Sequence, residues 1–373
     1  MLLDYLDFDG DSMKIAVNTG GGDAPGLNAV IRAVTLSAHA RGWDVWGLRY
    51  GYRSLVDEST PMVALTPERV SEITKLGGTI LGAINRGNPF EYPVEIEAGS
   101  FEARDLSETV VERFHSNGFD ALVAIGGDGS MSIAHRLGEK GMKIVGVPKT
   151  IDNDLEGTWA SFGFDTAVAN ATEIIDKLHT TAKSHERVMV VEVMGRDAGW
   201  IALHAGTAGD ADVILMPEIP FSYKRIFEKI QSLFGPGKKN YGVVVVSEAA
   251  RAKERRTVLL SPREIGRARR LGGIGTQVAE EITAHTKQET RVMVLGHVQR
   301  GGEPTNFDRI LAMRFGSAAV RTIEAGQFGT YVSFQPPEIV PRPLSDAYGR
   351  IRTVPLTHDL VTTARELGIC LGD

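Results

Sequence analysis

The chain has 373 residues, 42% hydrophobic and 24% charged, which excludes an intrinsically disordered protein. Its 41 Lys and Arg against 47 Asp and Glu give a net charge of −6, so it lacks the basic footprint of a nucleic-acid binder. No apolar run approaches the ~18 residues of a membrane span, and the single cysteine, Cys370, has no internal disulfide partner, which fits a reducing, cytoplasmic compartment. At ~150 residues per domain the length implies roughly two domains.

Residues 1–12 carry four Asp and no basic residue, so they read as a loose acidic tail rather than a targeting peptide. Lys14–Asn18 is a buried-strand pattern that runs into Gly20-Gly21-Gly22-Asp23-Ala24-Pro25-Gly26. Leu27, Val30, Ile31, Val34 and Ala38 then recur at helical spacing up to Gly42. Thr66-Pro67 supplies an N-cap and a first-turn proline for a helix closed by Gly77-Gly78. Ala121–Ile125 is a strand, and Gly126-Gly127-Asp128-Gly129-Ser130 leads from it into a helix. Lys143–Val147 is the next strand, followed by Pro148-Lys149-Thr150-Ile151-Asp152-Asn153-Asp154. A helical stripe through Val168, Ala171, Ile174, Ile175 and Leu178 is capped by Asp165. Val188–Val193, Val213–Leu215, Val243–Ser247 and Val292–Leu295 are further short apolar strands. Continuous apolar strands alternating with helices mean parallel sheets covered on both faces. The fold class is therefore α/β, with two packed lobes, each a largely parallel sheet with helices on both faces.

Ligands of open parallel sheets bind beyond the carboxyl ends of the strands, and the unusual residues sit there. Glycine-rich strand-to-helix turns expose backbone N–H groups to a phosphate, or else serve as tight structural turns. An Asp between glycines, Asp128, suits Mg²⁺ beside such a cradle. Asp152 and Asp154, two residues apart after a strand with Lys149 and Thr150 beside them, suit phosphoryl transfer. One carboxylate takes the proton of an attacking hydroxyl and its neighbour supports the metal. Arg187, Arg196, Arg291, Arg300 and His297 flank strands and suit a substrate with its own phosphate, since Arg binds phosphate bidentately. Glu248 ends a strand and suits sugar hydroxyls. Taken singly, each of these residues also fits an ordinary turn or surface charge.

Together the strings GGDAPGLNAVIR (Gly21–Arg32), GGTILG (Gly77–Gly82), IGGDGS (Ile125–Ser130), PKTIDND (Pro148–Asp154), VVEVMGR (Val190–Arg196) and VLGHVQRGG (Val294–Gly302) resemble the ATP-dependent 6-phosphofructokinases. The resemblance implies a kinase of glycolysis that phosphorylates fructose 6-phosphate at its 1-hydroxyl with Mg²⁺ and ATP. It implies that Gly22, Gly127, Asp128, Gly129 and Ser130 hold the nucleotide, with Arg86 near it and Asp128 on Mg²⁺. Asp152 would be the general base, Thr150 and Ile151 would line the sugar beside it, and Asp154 would support the metal. Arg196 would stabilise the transferring phosphoryl group, with Met194 and Gly195 shaping the pocket. Glu248, His297, Val298, Gln299 and Arg300 would contact the sugar phosphate. Arg187 and Arg291 would reach it from a neighbouring subunit of a homodimer or homotetramer. The nucleotide lobe would span 13–160 plus about 298–345, and the sugar-phosphate lobe about 161–297 plus the C-terminal segment. Gly129 with Lys149 resembles a subgroup that includes ATP users. Pyrophosphate-dependent relatives carry Lys at the second position but Asp at the first. The alternatives are therefore a pyrophosphate-dependent enzyme and, further off, a non-catalytic regulatory paralogue.

Overall fold

A computed structural model describes residues 12–84, 87–97, 100–253, 259–261 and 270–373. Arg86 and all of the acidic tail except Ser12 lie outside the described residues. In chain order the first strands are β1 (Lys14–Thr19), β2 (Asp44–Gly47), β3 (Val63–Leu65), β4 (Tyr92–Glu97), β5 (Ser100–Arg104), β6 (Ala121–Gly126) and β7 (Ile144–Pro148). They are followed by β8 (Val188–Val193), β9 (Val213–Leu215), β10 (Gly242–Ser247), β11 (Leu259–Ser261), β12 (Arg270–Leu271), β13 (Thr290–Val294), β14 (Thr330–Gln335) and β15 (Glu338–Pro343). The helices are α1 (Leu27–His39), α2 (Arg53–Val56), α3 (Ser107–Ser116), α4 (Asp128–Glu139), α5 (Phe164–Ser184), α6 (Trp200–Ala208), α7 (Tyr223–Ser232), α8 (Ile274–Thr286), α9 (Asn306–Glu324) and α10 (Asp359–Glu366).

Seven strands form one sheet in the order β15-β14-β7-β6-β1-β2-β3, parallel except for the antiparallel edges β3 and β15. A second sheet, β13-β8-β10-β9, is parallel throughout. The apolar strands are continuous because both faces are buried. In β1, Ile15 and Val17 join the core under α1 and α9, while Ala16 joins the one under α3 and α4. In β10, Val243 and Val245 face one core and Val244 and Val246 the other. The two sheets meet where α5 and α9 begin. Asp308, in the first turn of α9, accepts from the Thr166 backbone N–H at 2.8 Å and from its hydroxyl at 2.6 Å.

Three expectations need correction. Residues 67–72 form turns and Ile73–Lys75 one 3₁₀ turn, not a helix. The Thr66 hydroxyl does accept from the Arg69 N–H at 3.3 Å, but β-branched Val70, Ile73 and Thr74 follow, and an isolated short helix rarely propagates. Asp165 lies inside the first turn of α5 rather than at its cap; Gly163, at φ 98°, is the cap. There its carboxylate faces the positive end of the helix and accepts from the Thr305 hydroxyl at 2.6 Å. Finally, β13 is a sheet edge, and Met293 and Val294 are 42% and 53% exposed. A run of apolar residues signals burial on its two faces but carries no information about whether a further strand lies alongside. No helix among the described residues is long and apolar enough to cross a membrane.

Candidate active site

The site forms where the carboxyl ends of β1, β6 and β7 face those of β8, β10 and β13. After β7 the chain dives inward: Lys149, Thr150, Ile151, Asp152 and Asn153 are buried, and Asp154 is half-buried. The Thr150 hydroxyl accepts from the Asp152 N–H at 3.0 Å and donates to Asp154 Oδ1 at 3.1 Å. It lies farther, 3.5 Å, from Asp152 Oδ2. Its single proton therefore serves Asp154. Asp152 is 3% exposed, and its Oδ1 has no hydrogen-bond partner. An unmatched buried oxygen costs ~1–3 kcal/mol, a strain that an incoming hydroxyl would relieve.

Burial sets the electrostatics here. It raises the Asp152 carboxyl, against the pull of Arg300 and Arg196. Burial and then the Asp152 charge push Asp154 up to about 6. Burial, followed by the charge of Arg300, pulls Lys149 down to about 8. The Lys149 ammonium donates to the Gly22 carbonyl at 2.6 Å, bracing the first glycine turn against the end of β7.

The second glycine turn is shaped by close packing. A side chain at Gly20 or Gly126 would collide with Ser130, whose Oγ fills the niche between the ends of β1 and β6. Gly129 is different: an added Cβ meets nothing within 4 Å. Asp128 is exposed in the first turn of α4, and its Oδ1 accepts from the Gly349 N–H at 2.9 Å. Among the described residues no three His, Cys, Asp or Glu side chains gather to hold a metal. That fits Mg²⁺, which takes one or two carboxylates and draws its other ligands from substrate phosphates and water.

Across the cleft, β8 ends in Met194, half-buried, then Gly195 at φ 141° and Arg196 at φ 50°. The Arg196 N–H donates to Glu248 Oε1 at 3.0 Å, and burial raises the Glu248 carboxyl. After β13 a 3₁₀ turn, Gly296–Arg300, presents exposed His297 and Val298. Arg300 crosses between the sheets and donates to the Asp23 carbonyl at 3.1 Å. Gln299 is fully buried, and its amide holds the Gly296 carbonyl at 3.1 Å, so its side chain builds the turn.

Two expected residues are not in this cluster. Arg187 immediately precedes β8 and Arg291 is the second residue of β13; both meet Glu289, at 3.6 and 2.6 Å. The parallel register pairs Val188 with Thr290, so both arginines sit at the end of the sheet opposite Arg196. Conversely, nothing in the sequence after β15 marks a site, yet this segment arrives at it: besides Gly349 on Asp128, the Arg352 N–H donates to the Asp154 carbonyl at 2.9 Å. No residue spacing could have found it, because the contacts are made by backbone.

Residues 14–323 match the family profile Phosphofructokinase. The chain is 45% identical over 367 residues to "ATP-dependent 6-phosphofructokinase 2" of Clostridium perfringens, covering 96% of this chain and 98% of that protein. It is 48% identical over 348 residues to "Pyrophosphate--fructose 6-phosphate 1-phosphotransferase" of Amycolatopsis methanolica, covering 92% and 96%. A crystal structure of Pichia pastoris phosphofructokinase in the T-state superposes with a TM-score of 0.77 at 32% identity, over 91% of this chain and 36% of that one. The chain thus spans about a third of the yeast chain's length.

Proposed function

The chain belongs to the phosphofructokinase family, and on that premise we propose that it transfers the γ-phosphoryl group of ATP to the 1-hydroxyl of fructose 6-phosphate, a glycolytic step in the cytoplasm. The observation that carries this reading is the buried, unpartnered Oδ1 of Asp152, set between the two glycine turns and the arginine side of the cleft. Asp152 takes the proton of the 1-hydroxyl, the hydroxyl oxygen bonds to the γ-phosphorus, and the bond from that phosphorus to the β–γ bridging oxygen breaks to release ADP. Gly22, Gly127, Gly129 and Ser130 cradle the phosphates, and Asp128 holds Mg²⁺, with Asp154 supporting it. Bound Mg²⁺ spreads the negative charge of the β- and γ-phosphates. Arg196 stabilises the charge on the group in flight. Met194 and Gly195 shape the pocket, while Glu248, His297 and Arg300 take the sugar phosphate. The nucleotide lobe is 13–160 plus about 298–345; the other lobe holds the sugar phosphate.

Relatives named for ATP and for pyrophosphate both stand near 45% identity, so the donor is argued from Gly129. The open space at its Cβ position leaves room beside a nucleotide's α-phosphate. Asp at the same position would set a carboxylate against that phosphate. Lys149 is already engaged with the Gly22 carbonyl, and its ammonium suits either donor. The test is the initial rate of fructose 1,6-bisphosphate formation with each donor, in wild type and Gly129→Asp. Like charges at close range repel by ~4 kcal/mol at an effective dielectric of about 20, so the variant's ATP affinity falls ~10²–10³-fold. A wild type that prefers pyrophosphate overturns the choice of donor.

The protein works as a homo-oligomer with shared sites. Arg187 and Arg291 lie at the end of the sheet opposite their own chain's cleft, and the edge strand β13 exposes Met293 and Val294, apolar surface that a second subunit would cover.

A further inference from the structure

Tyr348–Val354 crosses the mouth of the site and is fastened at every stage. Gly349 is tied to Asp128, and Leu155 bridges Ile351 next to the Asp154–Arg352 bond. The Trp200 indole N–H, at the start of α6, donates to the Arg352 carbonyl at 2.8 Å. The Val354 N–H donates to Glu218 Oε1 at 2.9 Å, the oxygen that also takes the Gly199 N–H. One strap thereby joins the proposed metal loop, the carboxylate loop and the first turn of α6.

The Arg352 side chain adds a contact of another kind. Its guanidinium lies 4.5 Å from the Trp200 ring centroid, and its Nη1 donates to the Asn153 carbonyl at 3.3 Å. Asn153 separates Asp152 from Asp154 and is left-handed, at φ 53°. Asn tolerates that conformation better than other non-glycine residues, and contacts around it fix it in place. Two groups do so here: the Ser161 N–H, which donates to Asn153 Oδ1 at 3.2 Å, and Arg352, which holds the carbonyl.

We propose that Arg352 is a positioning residue for phosphoryl transfer: with its guanidinium seated on Trp200 it holds the Asn153 carbonyl and fixes the left-handed turn that aims Asp152 and Asp154. This rests on the reading of Asp152 as the base. The Arg352 side chain acts on the Asn153 carbonyl and the Trp200 ring, so on this proposal its loss should leave binding intact and displace the base.

The test uses the full-length chain with Arg352→Met and Arg352→Lys. Three quantities are read: kcat, KM for each substrate, and amide hydrogen exchange across residues 150–156. A displacement of about 1 Å costs ~10²-fold. Arg352→Met should therefore lower kcat ~10²-fold, leave both KM values within about threefold, and speed exchange in the loop. Arg352→Lys, which keeps a cation and one donor for a single carbonyl, should recover at least ~10-fold of that loss. Unchanged loop exchange in the Met variant overturns the proposal, as does faster exchange with kcat within about twofold of wild type. A loss confined to KM, or a Lys variant no better than Met, overturns it as well. If the wild type transfers phosphate from neither donor, it is the functional reading that fails, and loop exchange still decides whether Arg352 holds the turn.

Discussion

The two ends of the sheet β13-β8-β10-β9 carry similar charges in opposite situations. At the carboxyl end, Arg196, Glu248 and Arg300 act on a buried carboxylate in their own chain and shift its titration. At the amino end, Arg187 and Arg291 both meet a surface glutamate, Glu289. Six residues of β8 at ~3.3 Å each separate the ends by ~20 Å, beyond the reach of any arginine side chain. A charge is thus not functional or structural by type. What faces it decides: a buried carboxylate at one end, an exposed glutamate at the other.

The contrast breaks most sharply at Asp152. Asp152→Asn keeps the size of the side chain and removes its basicity, so kcat should fall ~10²–10⁴-fold while KM for the sugar phosphate changes far less. Steady-state rates measure both; near-full turnover would move the base elsewhere. Arg291→Ala tests the other end. Losing a charge-assisted hydrogen bond worth ~1.5–3 kcal/mol should raise KM for the sugar phosphate ~10–100-fold. Mixed with Asp152→Asn protein, it should recover activity through hybrid sites once subunits exchange. Verified exchange without any recovery would remove Arg291 from the site.

The carboxyl end is sharpened by pH. The base must be ionised, so kcat/KM falls as pH drops through the apparent pKa of the Asp152–Asp154 pair. Burial raises both groups, with Asp154 at about 6, so this limb should lie well above the ordinary carboxylate value of ~4. Asp154→Asn removes a neighbouring negative charge, favours ionised Asp152 and should move the limb to lower pH. A limb that stays or rises would show the two carboxyls to be uncoupled. The smallest effect is expected at Glu289, which is 49% exposed. Glu289→Gln frees both arginines at a cost below ~1 kcal/mol, so thermal melting should shift by only a few degrees. A large drop would make the amino end a structural element.

Much of the frame was legible in the residues. Ile15–Val17, Ala121–Ile125, Val188–Val191 and Val243–Val246 are apolar on both faces, and only a strand between two helical layers needs that. What escaped were elements whose local signal is ambiguous. Thr66-Pro67 announces a helix that β-branched neighbours cut to a 3₁₀ turn. β14 and β15 carry no motif; β14 joins the large sheet on the free edge of β7, and β15 joins on β14.

The chemistry divides in the same way. Glycine turns, tandem carboxylates and strand-flanking arginines are properties of neighbouring residues, so the sequence alone determined which residues are candidates for the cradle, the base and the basic side of the site. The tertiary structure alone decided that Asp152 is buried with a free oxygen while Asp154 takes the Thr150 proton, because those are matters of angstroms in a desolvated space. It alone decided which arginines share a cleft, because strand direction and register, rather than order along the chain, set which ends meet. It alone brought Gly349 to Asp128 and Arg352 to the carboxylate loop, because bonds donated by backbone N–H groups across ~200 residues leave no mark on residue type.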